Sequence, residues 1–165
     1  MKLFFTKIAF SFLLLFSLNS CSKNEGLEIP TQKENVSTEY NYVANERELL
    51  DLINGYRVSK GLNVLVLENY ISKVSENHVL YMISKNEISH DLFVNRSNDI
   101  INALGANKVA ENVAYKFNSA NGTLTAWLAS PSHKINLEGD FTHFGISIKT
   151  NSQGVKFYTN IFMKK

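Results

Sequence analysis

Four histidines, a single cysteine and one carboxylate set in an apolar run are the side chains of this chain whose type and spacing bear on chemistry. Imidazole exchanges a proton near neutral pH and can ligate a divalent ion. No two of His78, His90, His133 and His143 stand at a local ligand spacing such as HExxH, so spacing alone builds no metal site. His78 shares one helical face with Ile71, Val74, Tyr81 and Met82 and reads as a packed, hydrogen-bonded core histidine. His143 opens an alternating apolar run and is read as structural. His90 (ISHD) lies just past a helical stretch, and His133 (SPSHKINL) opens a short turn, the irregular settings in which functional residues often sit. Glu111 lies within VAENVAY, where a carboxylate must face a partner, water or a cavity. By spacing alone these remain two surface imidazoles and a satisfied carboxylate. No activated nucleophile is evident, because Ser89, Ser130 and Ser132 carry no sign of an oxyanion hole.

The elements that must position these residues follow from periodicity and punctuation. Asn45 fits a helix N-cap with Glu48 three residues on, and Leu49, Leu50, Ile53 and Tyr56 follow on one face before Gly61 supplies the stop. An extended piece over 62–67 leads to a second helix over 68–85. A third helix over 97–104 is closed by Gly105, a strand follows over 109–115, and a helix over 121–129 carries Leu124, Trp127 and Leu128. Pro131 separates that helix from one further turn over 132–137. The chain ends in a hairpin, with Phe144, Ile146 and Ile148 alternating in one strand and Phe157, Thr159, Ile161 and Met163 in the other about a turn at 151–154. Helices and strands interleave without a βαβ rhythm, which predicts the α+β class, with helices packed on a small sheet.

The N-terminus predicts export. Lys2 and Lys7 precede eleven uncharged, mostly apolar residues, 8–18 (IAFSFLLLFSL), which at the helical rise cover roughly half of a ~30 Å bilayer core. That length fits a signal h-region rather than a membrane span. The segment Leu18-Asn19-Ser20-Cys21 is similar to the lipoprotein signal, which implies cleavage before Cys21 and lipidation of its thiol. Residues 1–20 are thus expected to be a signal peptide, 21–44 a lipidated end and flexible tether, and 45–165 one domain. A tether of that length holds the domain roughly 25 Å from its lipid. Cys21 is the only cysteine, so no disulfide within the chain supports the fold.

Composition narrows the function classes. Hydrophobic residues make up 44% and aromatic residues 12%, enough for a packed core. Of 17 Lys and Arg, Lys2 and Lys7 fall in the signal, leaving 15 against 15 Asp and Glu. A neutral mature chain without a basic run lacks the electrostatic footprint of a nucleic-acid binder.

Several segments, in order, carry a resemblance to a known family. They are Leu52-Ile53-Asn54-Gly55-Tyr56-Arg57 with Gly61-Leu62, the helix segment SENHVLYM, Ser89-His90, Ala110-Glu111-Asn112-Val113-Ala114, the stretch WLASPSHKINL from Trp127, Phe144-Gly145-Ile146, and Tyr158-Thr159-Asn160-Ile161-Phe162. Over about 45–163 the chain resembles the bacterial branch of the CAP superfamily, the cysteine-rich secretory, antigen-five and pathogenesis-related proteins. The resemblance implies a three-layer α-β-α sandwich with a small, mainly antiparallel central sheet and one shallow cleft. His90, Glu111 and His133 would line that cleft, with Asn112 and Trp127 as structural motif residues. Leu128, Ala129 and Ser130 stand where many relatives have a second cavity glutamate, so one carboxylate carries over. It further implies a binding or interaction module, and the lipoprotein-like signal places that module at the bacterial cell envelope, anchored to a membrane, the outer one, through the lipid on Cys21. Its ligand would be a lipid, a sterol-like molecule or another envelope component. A zinc ion held weakly by His90 and His133 is a further expectation. The alternative is a metal-assisted hydrolase of a peptide or envelope substrate, with Glu111 as general base.

Overall fold

The computed structural model describes residues 39–165. The signal segment, Cys21 and most of the expected tether lie outside the described residues. Helix α1 (Ala44–Ser59) is followed by β1 (Val66–Leu67), α2 (Asn69–Lys85), α3 (Phe93–Leu104) and β2 (Lys108–Tyr115). Then come α4 (Ala120–Ala129), α5 (Pro131–Leu137) and the hairpin β3 (His143–Thr150) and β4 (Lys156–Lys164).

The four strands form one sheet in the order β1-β3-β4-β2, antiparallel except where β1 runs parallel to β3. Strand side chains alternate between faces, so β4 serves both layers. Tyr158 and Phe162 turn toward α1, α4 and α5, where they pack with Leu49, Ile53, Trp127, Phe144 and Ile146. Ile161 and Met163 turn the other way, onto Ile71, Val74 and Ile100 of α2 and α3. The result is the α-β-α sandwich expected. Helix α2 lies so close to β3 that a Cβ at Gly145 would come within 2.5 Å of the Ser72 backbone nitrogen, which is why glycine stands there.

The domain begins earlier than its capping pattern suggests. The helix is capped at Val43, whose amide donates to Glu46 Oε2 at 2.9 Å, rather than at Asn45 with Glu48. Glu46 is wholly buried because it also accepts from the Ile148 amide at 2.8 Å and from the Tyr40 hydroxyl at 2.7 Å. Tyr40 is itself buried, and the Tyr42 hydroxyl donates to Asn69 Oδ1 at 3.0 Å. Residues 40–43, assigned above to the tether, therefore belong to the packed domain. Helix α3 likewise starts at Phe93 rather than 97, after Leu92 in a left-handed conformation (φ 59°).

Two side chains lock the flanks of the sheet. Arg57, fully buried, donates to the carbonyls of Leu137 and Gly139, both at 2.9 Å, and so ties α1 to the end of α5. Asn54 exchanges two hydrogen bonds with the Leu65 backbone at 2.8 and 3.1 Å and closes the free edge just before β1.

Candidate functional site

Neighbouring residues of β2 serve opposite faces of the sheet. Glu111 stands opposite Ile161 and faces α2 and α3, while Asn112 stands opposite Asn160 and faces α4 and α5. The motif thus reaches both layers from one edge strand.

On the first face the Glu111 carboxylate is almost wholly buried and fully engaged. Arg96 of α3 donates Nε to Oε2 at 2.9 Å and Nη2 to Oε1 at 2.8 Å. The same guanidinium donates Nη1 to the Asp91 carbonyl. His90, on the connection between α2 and α3, places Nδ1 2.8 Å from Oε1. Burial alone would raise the Glu111 pKa, but the hydrogen bonds from His90 and Arg96 and the arginine charge outweigh it and hold the group below its usual value. The carboxylate is therefore ionised and His90 Nδ1 is the donor, leaving Nε2 outward on a half-exposed ring. His78 of α2 completes the group. Its Nε2 donates to the Ser89 carbonyl at 2.8 Å and stands 3.8 Å from Glu111 Oε1. Burial, only partly opposed by the Glu111 charge, depresses the His78 pKa, so the ring is neutral and acts by fixing the backbone beside His90.

On the second face Asn112, fully buried, donates to the His133 carbonyl at 3.1 Å and accepts from Asn136 Nδ2 at 2.9 Å. These bonds seat α5 on β2. Trp127, also buried, donates Nε1 to the Val113 carbonyl at 3.0 Å. The His133 ring lies 6.5 Å, centroid to centroid, from Trp127. Burial first, and the charge of His90 second, lower its pKa, so His133 is neutral at pH 7. An apolar groove of about 290 Å³ runs beside the outer edge of β2, lined by Ile88, Tyr115, Phe117, Ala126, Trp127 and His133.

Of the residues singled out in the sequence, His90 and Glu111 are in direct contact, whereas His133 bonds to neither. His78 is the core histidine expected, yet it also borders the Glu111 cluster. His143 opens β3 and meets the Thr142 hydroxyl at 2.8 Å, away from the cluster. Arg96 was missed in the sequence because the third helix was started one residue after it. Its spacing of four from the buried Ile100 was the available signal, since it puts both on one face.

The arrangement limits the chemistry. With both Glu111 oxygens held by a fixed guanidinium, removing a proton would cost the carboxylate its bonds to Arg96 and His90. Among the described residues, no three His, Cys, Asp or Glu side chains converge as metal ligands. The two metal ligands expected from the sequence, His90 and His133, are fewer than the three protein ligands of ordinary catalytic zinc sites.

Helices on both faces of a four-stranded sheet give this chain the fold of an SCP-like domain. The sequence profile of the CAP, or cysteine-rich secretory protein, family matches residues 50–162, and the chain belongs to that family. It is 29% identical over 127 residues to the uncharacterized membrane protein YlbC of Bacillus subtilis, covering 73% of this chain and 35% of that protein, so it spans about a third of that relative's length. An outer surface protein of Borrelia burgdorferi superposes with a TM-score of 0.68 at 23% identity, over 76% of this chain and 96% of that one. An extracellular SCP-domain protein of Bacillus anthracis superposes with a TM-score of 0.65 at 27% identity, over 73% of this chain and 40% of that one.

Proposed function

We propose that the chain is a membrane-anchored, extracytoplasmic binding module whose ligand lies in the groove at the edge of β2. The observation that carries this reading is the contrast between a committed carboxylate and an open groove. Glu111 is held by three charge-assisted bonds, while the neutral ring of His133 lines an apolar groove beside Trp127. Such a pairing favours holding a ligand over turning one over. The lipoprotein-like signal ending at Cys21 supports anchoring, and the relatives named as membrane, outer-surface and extracellular proteins support a place outside the cytoplasm. The chemistry of an apolar groove suits a lipid, a sterol-like molecule or an apolar segment of another envelope component.

The test is capture from solubilised envelope by the full-length protein in mild detergent, with the retained material analysed by mass spectrometry. The wild type retains a component unchanged, and Ala126→Arg, which fills the groove, loses it. Turnover of an envelope substrate that disappears in a folded Glu111→Gln variant would replace this reading with the hydrolase. The anchor is checked separately: Cys21→Ala releases the protein from membranes, whereas a wild type without lipid mass refutes it.

A divalent ion is a second reading, favoured by one feature. The Glu111 carboxylate fixes His90 through Nδ1 and leaves Nε2 as the lone-pair nitrogen, the arrangement common behind metal-ligating histidines.

A further inference from the structure

The outer edge of β2 is only half closed. The carbonyls of Glu111 and Val113 point away from β4, because Asn136 Nδ2 and Trp127 Nε1 reach them at 3.3 and 3.0 Å. In an extended antiparallel strand the amide and carbonyl of one residue point the same way, and the Lys116 amide, an even position, donates to Lys156 of β4. The amides of Val113 and Tyr115 therefore face outward, and among the described residues no side chain accepts from them. The Val113 carbonyl is occupied by Trp127, so the free part of this edge offers more donors than acceptors.

The edge also has a built-in end. Lys116 leaves the extended conformation (φ 67°), so no strand pairing continues past Tyr115. Its ammonium stands 4.7 Å above the Tyr115 ring, at the place where pairing must stop. The apolar groove beside Trp127 does not end there. A second hollow of about 360 Å³ shares Ile88 and Tyr115 with it and continues past Lys116 to Gln153, with Glu87 in its wall.

We propose that this edge takes an extended peptide with a free C-terminal carboxylate, running parallel to β2. Its carbonyls accept from the Val113 and Tyr115 amides, an apolar side chain packs against Trp127 and Ala126, and its terminal carboxylate meets the Lys116 ammonium. The donor-rich edge complements carbonyls, and the cation at its end complements a carboxylate rather than an amino terminus. This inference rests on the binding reading above and names the class of ligand.

The test uses short peptides of alternating valine and threonine, each made as the free acid and as the C-terminal amide, titrated into the full-length chain in mild detergent. The free acid binds about tenfold more tightly than the amide, as one charge-assisted contact would give. Lys116→Gly suits the left-handed backbone and removes the charge, so it keeps the fold and brings the two affinities together. Ala126→Arg abolishes binding of both, and amide-nitrogen shifts in the wild type move at Val113 and Tyr115. Equal affinity of acid and amide, tighter binding of the amide through Glu87, or indifference to Lys116→Gly overturns the carboxylate end while leaving the binding reading intact. Absence of binding by any peptide overturns the peptide ligand, and retention of an envelope component in the capture experiment then shows that the binding reading survives without it.

Discussion

Arg96 and Glu111 meet as a planar fork, Nε to Oε2 and Nη2 to Oε1, with both side chains buried between α3 and the edge strand β2. Breaking such a pair strands a charge in a region without solvent, and losing one partner costs about 3–5 kcal/mol. Arg96→Ala should lower unfolding stability by that amount in urea denaturation. The double variant Arg96→Ala/Glu111→Ala should lose much less than the sum of the singles, because neither charge is then left alone. Additive losses would show that the fork contributes nothing of its own.

That pair also shows what the sequence could and could not disclose. The need of Glu111 for a partner was legible, since a carboxylate in VAENVAY cannot sit unsatisfied. Its partner was not, because the Arg96 contact requires α3 to begin at Phe93, after a left-handed Leu92 that leaves no mark in residue type. The hairpin was legible through strict alternation in both strands. The pairing of β2 with β4, which spans some fifty residues of chain, was not, because nothing local fixes which distant strand an apolar run joins. The start of α1 was misplaced because Val43 with Glu46 and Asn45 with Glu48 have the same spacing. Only the tertiary acceptance of Tyr40 and Ile148 by Glu46 chooses between them.

Tyr40 is consequently part of the domain. Tyr40→Phe removes one of three donors to the buried Glu46 carboxylate and should cost about 1–3 kcal/mol. A chain beginning at Asn45 loses that donor and the Val43 amide together. It should melt well below one beginning at residue 39 in a thermal scan. Identical melting of the two chains would return residues 40–43 to the tether.

Trp127 links packing to the edge strand through its bond to the Val113 carbonyl. Trp127→Ala should cost about 3–5 kcal/mol, and Trp127→Phe less, since the ring volume is partly kept while the carbonyl loses its donor. As the single tryptophan it also reports the fold. Native emission should be blue-shifted and move red in urea. Emission at the solvent-exposed wavelength before denaturant is added contradicts the burial.

The pH dependence has a definite sign. His78 and His133 have folded pKa values below their unfolded ones, so the unfolded chain binds more protons as pH falls from 7 through ~6.5. Stability should therefore decline over that range. Glu111, with its folded pKa depressed, keeps its contribution until the pH falls below the ordinary carboxylate value, and then loses it. His133→Gln should flatten the first decline and leave the second, as read from urea midpoints across a pH series. A wild-type midpoint that rises on acidification to pH 6 would contradict the assignment.

The proposed zinc ion would be held by His90 and His133. His90 presents Nε2 because Nδ1 is engaged by Glu111, and burial favours the neutral His133 ring. Protons compete with an ion for imidazole nitrogen, so affinity should fall from pH 7.5 to pH 5.5. With two protein ligands, affinity should stay well below that of a structural zinc site. His90→Ala and His133→Ala should each remove the calorimetric signal, whereas His78→Ala, which unpins the Ser89 carbonyl, should lower stability more than it alters metal uptake. Equal heats at the two pH values, or binding unchanged by His90→Ala, would mean that no ion is shared by these rings.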